Sequence, residues 1–226
     1  MQVIAVASAI SREGKTSLAS HLAVSLARSS PEPVLLIDAD MRNPDIHELF
    51  EIKPEPGLVD VLDHRCSLKE AVVETWSKNL YVLPAGQLTK SPHVLLGNGA
   101  FKAVVSEARS AYRYIVVDCP PVLPVSDALV IARSADGTLI STMRDVTRAH
   151  QVKLACERLV AAGAKLIGAV LSGVPAGSYV SRYGSGSYDY YTRRYTSATA
   201  SVASGDGTAA QRTTGRAEEP PSASQA

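Results

Sequence analysis

Apolar and polar positions alternate along this chain in blocks that favour buried strands and one-sided helices in turn. Residues 1–9 (MQVIAVASA) form a short apolar run rich in β-branched side chains, which suits a buried strand. Residues 18–28 place Leu18, Leu22 and Leu26 four apart, with Ala19 and Ala23 beside them, and so predict an apolar helix face. Residues 29–33 are a polar, proline-containing break. Val34, Leu35, Leu36 and Ile37 then form a continuous apolar run, the pattern of a strand buried on both faces.

The same blocks recur downstream. Short helices are expected over 57–62 and 67–73, a brief strand over 80–83, a turn at 84–86, and a loop around 89–92. A helical stretch at about 101–109 leads to a strand over 112–117, stopped by Cys119-Pro120-Pro121. Ser126 stands where it would cap a helix running to Ala132. A strand over 138–142, a helix at about 148–161 closed by Gly163, and a last strand over 165–171 complete the series. This alternation predicts an α/β fold, with a mostly parallel sheet covered by helices on both faces.

Residues 174–226 have a different character. Six of the nine tyrosines, Tyr179, Tyr183, Tyr188, Tyr190, Tyr191 and Tyr195, fall among Gly, Ser and Arg with no steady period. Beyond them the chain is Ala/Ser/Thr/Gly/Pro-rich, a composition expected to stay disordered. The expected organisation is an α/β domain over 1–175, a tyrosine-rich tail over 176–195 and a disordered tail over 196–226.

Bulk composition narrows the possible functions. The chain has 226 residues, 46% of them hydrophobic, and a net charge of +1, so no general attraction to nucleic acid is expected. Cys66, Cys119 and Cys156 are widely spaced and odd in number, which fits isolated thiols in a reducing compartment. No apolar run approaches the roughly 18 residues of a membrane span. Membrane work would therefore need a partner.

The chemistry gathers where strands end. Gly14-Lys15-Thr16 lies between the first strand and the first helix, the setting of a phosphate-binding loop. There, backbone N–H groups converge on an anion, lysine reaches the β- and γ-phosphates, and threonine ligates Mg²⁺. The first glycine of the full motif is replaced by Ala9. Asp38 and Asp40 close the second strand, where open α/β sheets collect ligands, and two residues apart they project to one side. The other role open to them is capping the next turn. Asp118 closes the strand over 112–117 and is placed to hold Mg²⁺ beside the loop. Arg42 is either a phosphate or substrate contact or a solvated surface arginine, and His47 has no partner pattern.

Together these pieces resemble the bacterial tyrosine kinases of exopolysaccharide and capsule synthesis. The resemblance runs from about residue 2 to 195. It rests on S-A-I-S-R-E-G-K-T, V-L-L-I-D-A-D-M-R-N-P, Y-R-Y-I-V-V-D-C-P-P-V and the tyrosine cluster, supported by G-L-V-D-V-L, L-Y-V-L-P-A-G and S-D-A-L-V. It implies a phosphate-loop nucleoside-triphosphatase fold related to the septum-site and partition ATPases. ATP with Mg²⁺ would bind at Ser11, Arg12, Glu13, Gly14, Lys15, Thr16 and Ser17. Lys15 would stabilise the transferring phosphoryl group, and Asp38 would accept the tyrosine proton or orient the hydroxyl. Thr16, Asp40 and Asp118 would hold the metal. The six tail tyrosines would be the acceptors, presented to a neighbouring subunit of a homo-oligomeric ring that phosphorylation loosens. The implied partners are the cytosolic segment of a membrane chain-length regulator, as activator, and a tyrosine phosphatase. The implied location is the cytoplasm, at the inner face of the membrane through that partner.

The chain departs from the family pattern in several places. Ser11-Arg12 replaces Pro-Gly ahead of Glu-Gly-Lys, Ser172-Gly173 stands where an asparagine is common, and Thr89–Pro92 replaces Pro-Pro-Asn-Pro. The family's Glu- and Arg-containing segment upstream of the first strand is not present, and Met1 stands almost at that strand, so the chain reads as a fragment or a mis-started chain. Two other functions fit parts of the pattern. A positioning ATPase carries a lysine where Ile10 stands and has no tyrosine tail. A pseudokinase adaptor would bind ATP weakly and only dock partners.

Overall fold

A computed structural model describes residues 1–175. The expected tails over 176–195 and 196–226 lie outside the described residues.

Among the described residues seven strands form one sheet: β1 (Val3–Ser8), β2 (Val34–Asp38), β3 (Val73–Glu74), β4 (Leu80–Leu83), β5 (Tyr114–Asp118), β6 (Gly137–Met143) and β7 (Leu166–Ser172). Their order is β3-β4-β2-β5-β1-β6-β7, and every pairing is parallel except β3 with β4. The central strands β1, β2 and β5 are almost entirely buried, which explains their unbroken apolar sequence.

The longer helices are α1 (Lys15–Ser29), α6 (Ala100–Ala111) and α8 (Ala149–Ala161). The shorter ones are α2 (Ile46–Leu49), α3 (Leu58–Leu62), α4 (Leu68–Ala71), α5 (Pro92–Leu95) and α7 (Asp127–Arg133). Two apolar clusters lie on opposite faces of the sheet. One gathers α1 against Val6, Val34, Leu36 and Val116, and the other gathers α6, α7 and α8 against Leu35, Ile37, Ile115 and Val117. This is the expected three-layer, doubly wound arrangement. Among the described residues no helix is long and apolar enough to cross a membrane.

Four local expectations need correction. In α1 the stripe that packs on the sheet is Ala19, Ala23 and Ala27, all buried, while Leu18, Leu22 and Leu26 flank it half-buried. Alanines let the helix backbone approach the strands closely, and the leucines then seal the sides. The region read as a helix over 67–73 ends at Ala71 and turns into the antiparallel edge strand β3. The loop at 89–92 leads into a helical turn, α5, begun by Pro92. Ser126 does occupy the position before α7, but its side chain makes no capping bond.

Candidate active site

The carboxyl ends of β1, β2 and β5 meet at one point because the register sets Asp38 opposite Asp118 and Asp118 opposite Val6. The loop after β1 and the start of α1 lie over these ends. Gly14 turns into the helix with φ 76°, an angle a side chain adopts only with strain.

Lys15 sits among three carboxylates. Its Nζ lies 2.8 Å from Asp40 Oδ2 and 3.7 Å from Asp118 Oδ2. Burial pulls the Lys15 pKa down, but Asp118 and Asp40 outweigh it and the net shift is upward, so the ammonium stays charged. Thr16 donates its hydroxyl to Asp118 Oδ2 at 2.6 Å, while Asp118 Oδ1 is buried with no hydrogen-bond partner among the described residues. Burial raises Asp118 to about 6 against the opposing pull of Lys15 and Thr16. Asp38 is fully buried and raised further, to about 8, first by burial and then by Asp118.

Asp38 also has the capping role that its sequence left open. Its two oxygens accept the backbone N–H groups of Asp40 at 3.2 Å and Ile46 at 3.1 Å, closing the turn between β2 and α2. Asp40, unlike Asp38, faces the cavity. That cavity, of about 410 Å3, is lined by Ser11, Arg12, Gly14, Lys15, Thr16, Ser17, Asp40, Asn43 and Asp45.

Two expected contacts point elsewhere. The Glu13 side chain is fully buried rather than turned to the cavity. Its carboxylate accepts the Ile10 N–H at 2.9 Å and the Thr147 hydroxyl at 2.5 Å, and its carbonyl accepts the Ser141 hydroxyl at 2.6 Å. Glu13 thus braces the loop from beneath. Arg42 donates its Nε–H to Asp127 at 2.7 Å, tying the chain after β2 to the start of α7 instead of reaching into the cavity. The residues that sequence reasoning missed are Asn43, Asp45, Asp127 and Thr147. Asn43 and Asp45 continue the run begun by Asp38 and Asp40, a signal available in the sequence. The pairings of Asp127 and Thr147 span 85 and 134 residues and left no local signal.

The donor set fits a hard divalent cation. It offers the carboxylate oxygens of Asp40 and Asp118, one of the latter unmatched, and the Thr16 hydroxyl. Among the described residues no cluster of three Asp, Glu, His or Cys would hold a metal alone. Such an ion would need Thr16 and phosphate oxygens as further ligands. Cys66, Cys119 and Cys156 are free thiols; Cys119 follows Asp118 directly, and burial above all raises its thiol far above the usual range.

A parallel sheet whose carboxyl ends carry a glycine-lysine-threonine loop and facing carboxylates defines a phosphate-loop nucleotide-binding protein. Comparison with known proteins agrees. The family described as "AAA domain" matches residues 1–151. The tyrosine-protein kinase YwqD of Bacillus subtilis is 36% identical over 173 residues, covering 76% of this chain and 73% of that protein. The kinase domain of the Escherichia coli tyrosine kinase ETK superposes with a TM-score of 0.74 at 33% identity, over 76% of this chain and 68% of that one. The cell division ATPase MinD of Pyrococcus furiosus superposes with a TM-score of 0.64 at 26% identity, over 75% of this chain and 71% of that one. The chain belongs to the bacterial protein-tyrosine kinases.

Proposed function

We propose that this kinase uses ATP with Mg²⁺ to phosphorylate its own tyrosines at 179–195 in a neighbouring subunit, and that it acts in exopolysaccharide or capsule synthesis. The observation that carries the proposal is the cluster of Lys15, Thr16, Asp40 and Asp118, in which Lys15 and Thr16 both engage Asp118 Oδ2 and Asp118 Oδ1 is left unmatched. Phosphoryl transfer needs positioning and charge neutralisation more than covalent help from the protein.

In this proposal the loop from Ser11 to Ser17 receives the phosphates, and Lys15 neutralises the β- and γ-oxygens. Mg²⁺ would be held by Thr16, Asp40 and Asp118 and would offset charge on the phosphate oxygens. The acceptor's phenolic oxygen bonds to the γ-phosphorus as the bond to the β,γ-bridging oxygen breaks. The electron pair stays with ADP, and the phenolic proton passes to the Asp38–Asp40 pair. Asp38, raised to about 8 by burial and then by Asp118, accepts the proton only in its ionised form, and Asp40 faces the cavity. Arg42 is set aside as a direct contact and positions α7 through Asp127.

The three tyrosines among the described residues support acceptors at 179–195. Tyr81, Tyr112 and Tyr114 are all half-buried. Tyr81 and Tyr112 pack ring to ring at 5.6 Å, and Arg113 lies over the Tyr114 ring at 5.2 Å. Each phosphate would add about −1.5 to −2 charges, which several sites would turn into repulsion within a ring of subunits. A membrane chain-length regulator as activator, a tyrosine phosphatase, and a cytoplasmic position at the inner membrane face complete the proposal.

The test is intact mass and phosphotyrosine signal after incubation with ATP and Mg²⁺, beside Lys15→Met and a variant with all six tail tyrosines changed to Phe. Mass gains that disappear in both variants support the proposal. Phosphotyrosine that persists without the six tyrosines moves the acceptors elsewhere. ATP hydrolysis without phosphotyrosine, with the activator's cytosolic peptide supplied, would favour a positioning ATPase, as the likeness to MinD allows.

A further inference from the structure

Arg12 has a backbone φ of 67°. That left-handed angle is strained for a long side chain and persists only where the surroundings impose it. Here they do. The next residue, Glu13, is locked by Ile10, Ser141 and Thr147, so the loop cannot relax around position 12. A glycine would follow the same path without strain.

The Arg12 side chain is exposed, lines the cavity with Lys15, Thr16 and Asp40, and makes no ion pair among the described residues. Lys15 is already engaged by two carboxylates. A bound triphosphate would add further negative charge at a site where the other cavity-lining side chains with charge, Asp40 and Asp45, are acids. A guanidinium is a planar fork of donors matched to phosphate oxygens.

We propose that Arg12 is a catalytic residue, whose guanidinium bonds the oxygens of the phosphoryl group as it passes from ATP to its acceptor. The inference rests on the proposed kinase reaction only for the identity of that acceptor. The bond from the acceptor oxygen to the γ-phosphorus forms, the bond to the bridging oxygen breaks, and ADP keeps the electron pair. Arg12 exchanges no proton and forms no covalent bond. It bonds those oxygens more closely during transfer than before it, so its contribution appears in kcat.

The experiment compares full-length wild type with Arg12→Gly, Arg12→Ala and Arg12→Lys. Thermal unfolding, ATP affinity by equilibrium titration, and phosphotyrosine formation at saturating ATP are measured on each. Arg12→Gly should unfold at a higher temperature than Arg12→Ala, because only alanine keeps the strain. Both should lose at least about tenfold in rate at saturating ATP, a modest share of the 10³–10⁵-fold that a catalytic arginine supplies elsewhere. ATP affinity should change less than about threefold, as expected of an interaction made chiefly during transfer. Lysine should restore little, lacking the fork, and added guanidinium ion should partly rescue Arg12→Gly but leave wild type unchanged.

An unchanged rate in Arg12→Gly overturns the proposal. So does a loss confined to ATP affinity, which would make Arg12 a ground-state contact only. If wild type forms no phosphotyrosine, the kinase reaction fails as a proposal, yet Arg12 is still judged by ATP hydrolysis in the same variants. Water is then the acceptor, and the same loss in rate is expected.

Discussion

Thr16 and Asp118 are 102 residues apart in sequence and 2.6 Å apart in the fold, joined by a hydrogen bond from hydroxyl to carboxylate. The bond leaves the other Asp118 oxygen buried and unmatched, an arrangement that is costly unless a ligand completes it. Thr16→Ala should therefore remove a metal ligand and strip Asp118 of a hydrogen bond at once. The expected result is loss of Mg²⁺-dependent nucleotide binding by at least about tenfold, with a smaller loss of stability of about 1–2 kcal/mol. Titration with ATP in the presence and absence of Mg²⁺ checks it. Equal affinity for ATP in the two conditions in wild type would remove the metal from the proposal.

The facing acids Asp38 and Asp118 make folding depend on pH in a definite direction. Their folded pKa values, about 8 and about 6, lie above the ordinary 3.8. Below pH 4 both states are protonated and nothing is lost. As pH rises through 6 and 8 the unfolded chain ionises more readily than the folded one, and stability falls. Nucleotide-free protein should thus lose stability between about pH 4 and 8, and Asp38→Asn should flatten the decline in its upper part. Urea unfolding midpoints at several pH values provide the measurement. A midpoint that rises with pH across that window would contradict the buried-acid account.

Those acids were legible in the sequence because each ends an apolar strand, and the ends of parallel strands converge whatever the intervening chain does. The strand order could not be read in the same way, but the alternation of elements left few arrangements open. What stayed hidden was set by packing at long range. The Leu18–Leu22–Leu26 stripe is the larger apolar surface of α1, yet close approach to the sheet selects the alanine stripe. Glu13 lies within a loop that binds phosphates, and its inward turn depends on Thr147, whose position beside it no local pattern records. Arg42 likewise finds Asp127 through the fold alone.

Asp136 holds the first strand in place from the other end of the sheet. Its carboxylate accepts the backbone N–H groups of Gln2 at 2.7 Å and Val3 at 2.9 Å and pairs with Arg109 at 2.6 Å. The Arg109 hydrogen bond above all holds its pKa well below the usual carboxylate range. A depressed pKa adds stability that is present above about pH 4 and lost as pH falls through the folded value. Asp136→Ala should destabilise the protein by about 1–3 kcal/mol at pH 7, toward the lower figure because the pair is partly exposed. The gap between variant and wild type should narrow as pH falls below about 4, as chemical denaturation curves at pH 7 and pH 2 would reveal. ATP affinity, measured at pH 7, should be unchanged.

Thr147 links the loop to the sheet more directly than any residue of the loop itself. Its hydroxyl donates to Glu13 at 2.5 Å and accepts the Met143 N–H at 2.8 Å, so one oxygen joins the phosphate-binding loop to the end of β6. Thr147→Val keeps the shape and removes both bonds, leaving the buried Glu13 carboxylate with the Ile10 N–H as its remaining partner. A buried charge that loses a partner costs about 1–3 kcal/mol, and the loop should respond by releasing Glu13 toward solvent. The strain at Arg12 is imposed by the same brace, so its φ of 67° should relax with it. Weaker ATP binding, by several-fold, and faster amide exchange across residues 10–16 are then expected, with residues 114–118 unaffected. Exchange that quickens equally in both segments would mean a global loss of stability. A segment that stays protected would mean the loop is held by its own backbone and not by Thr147.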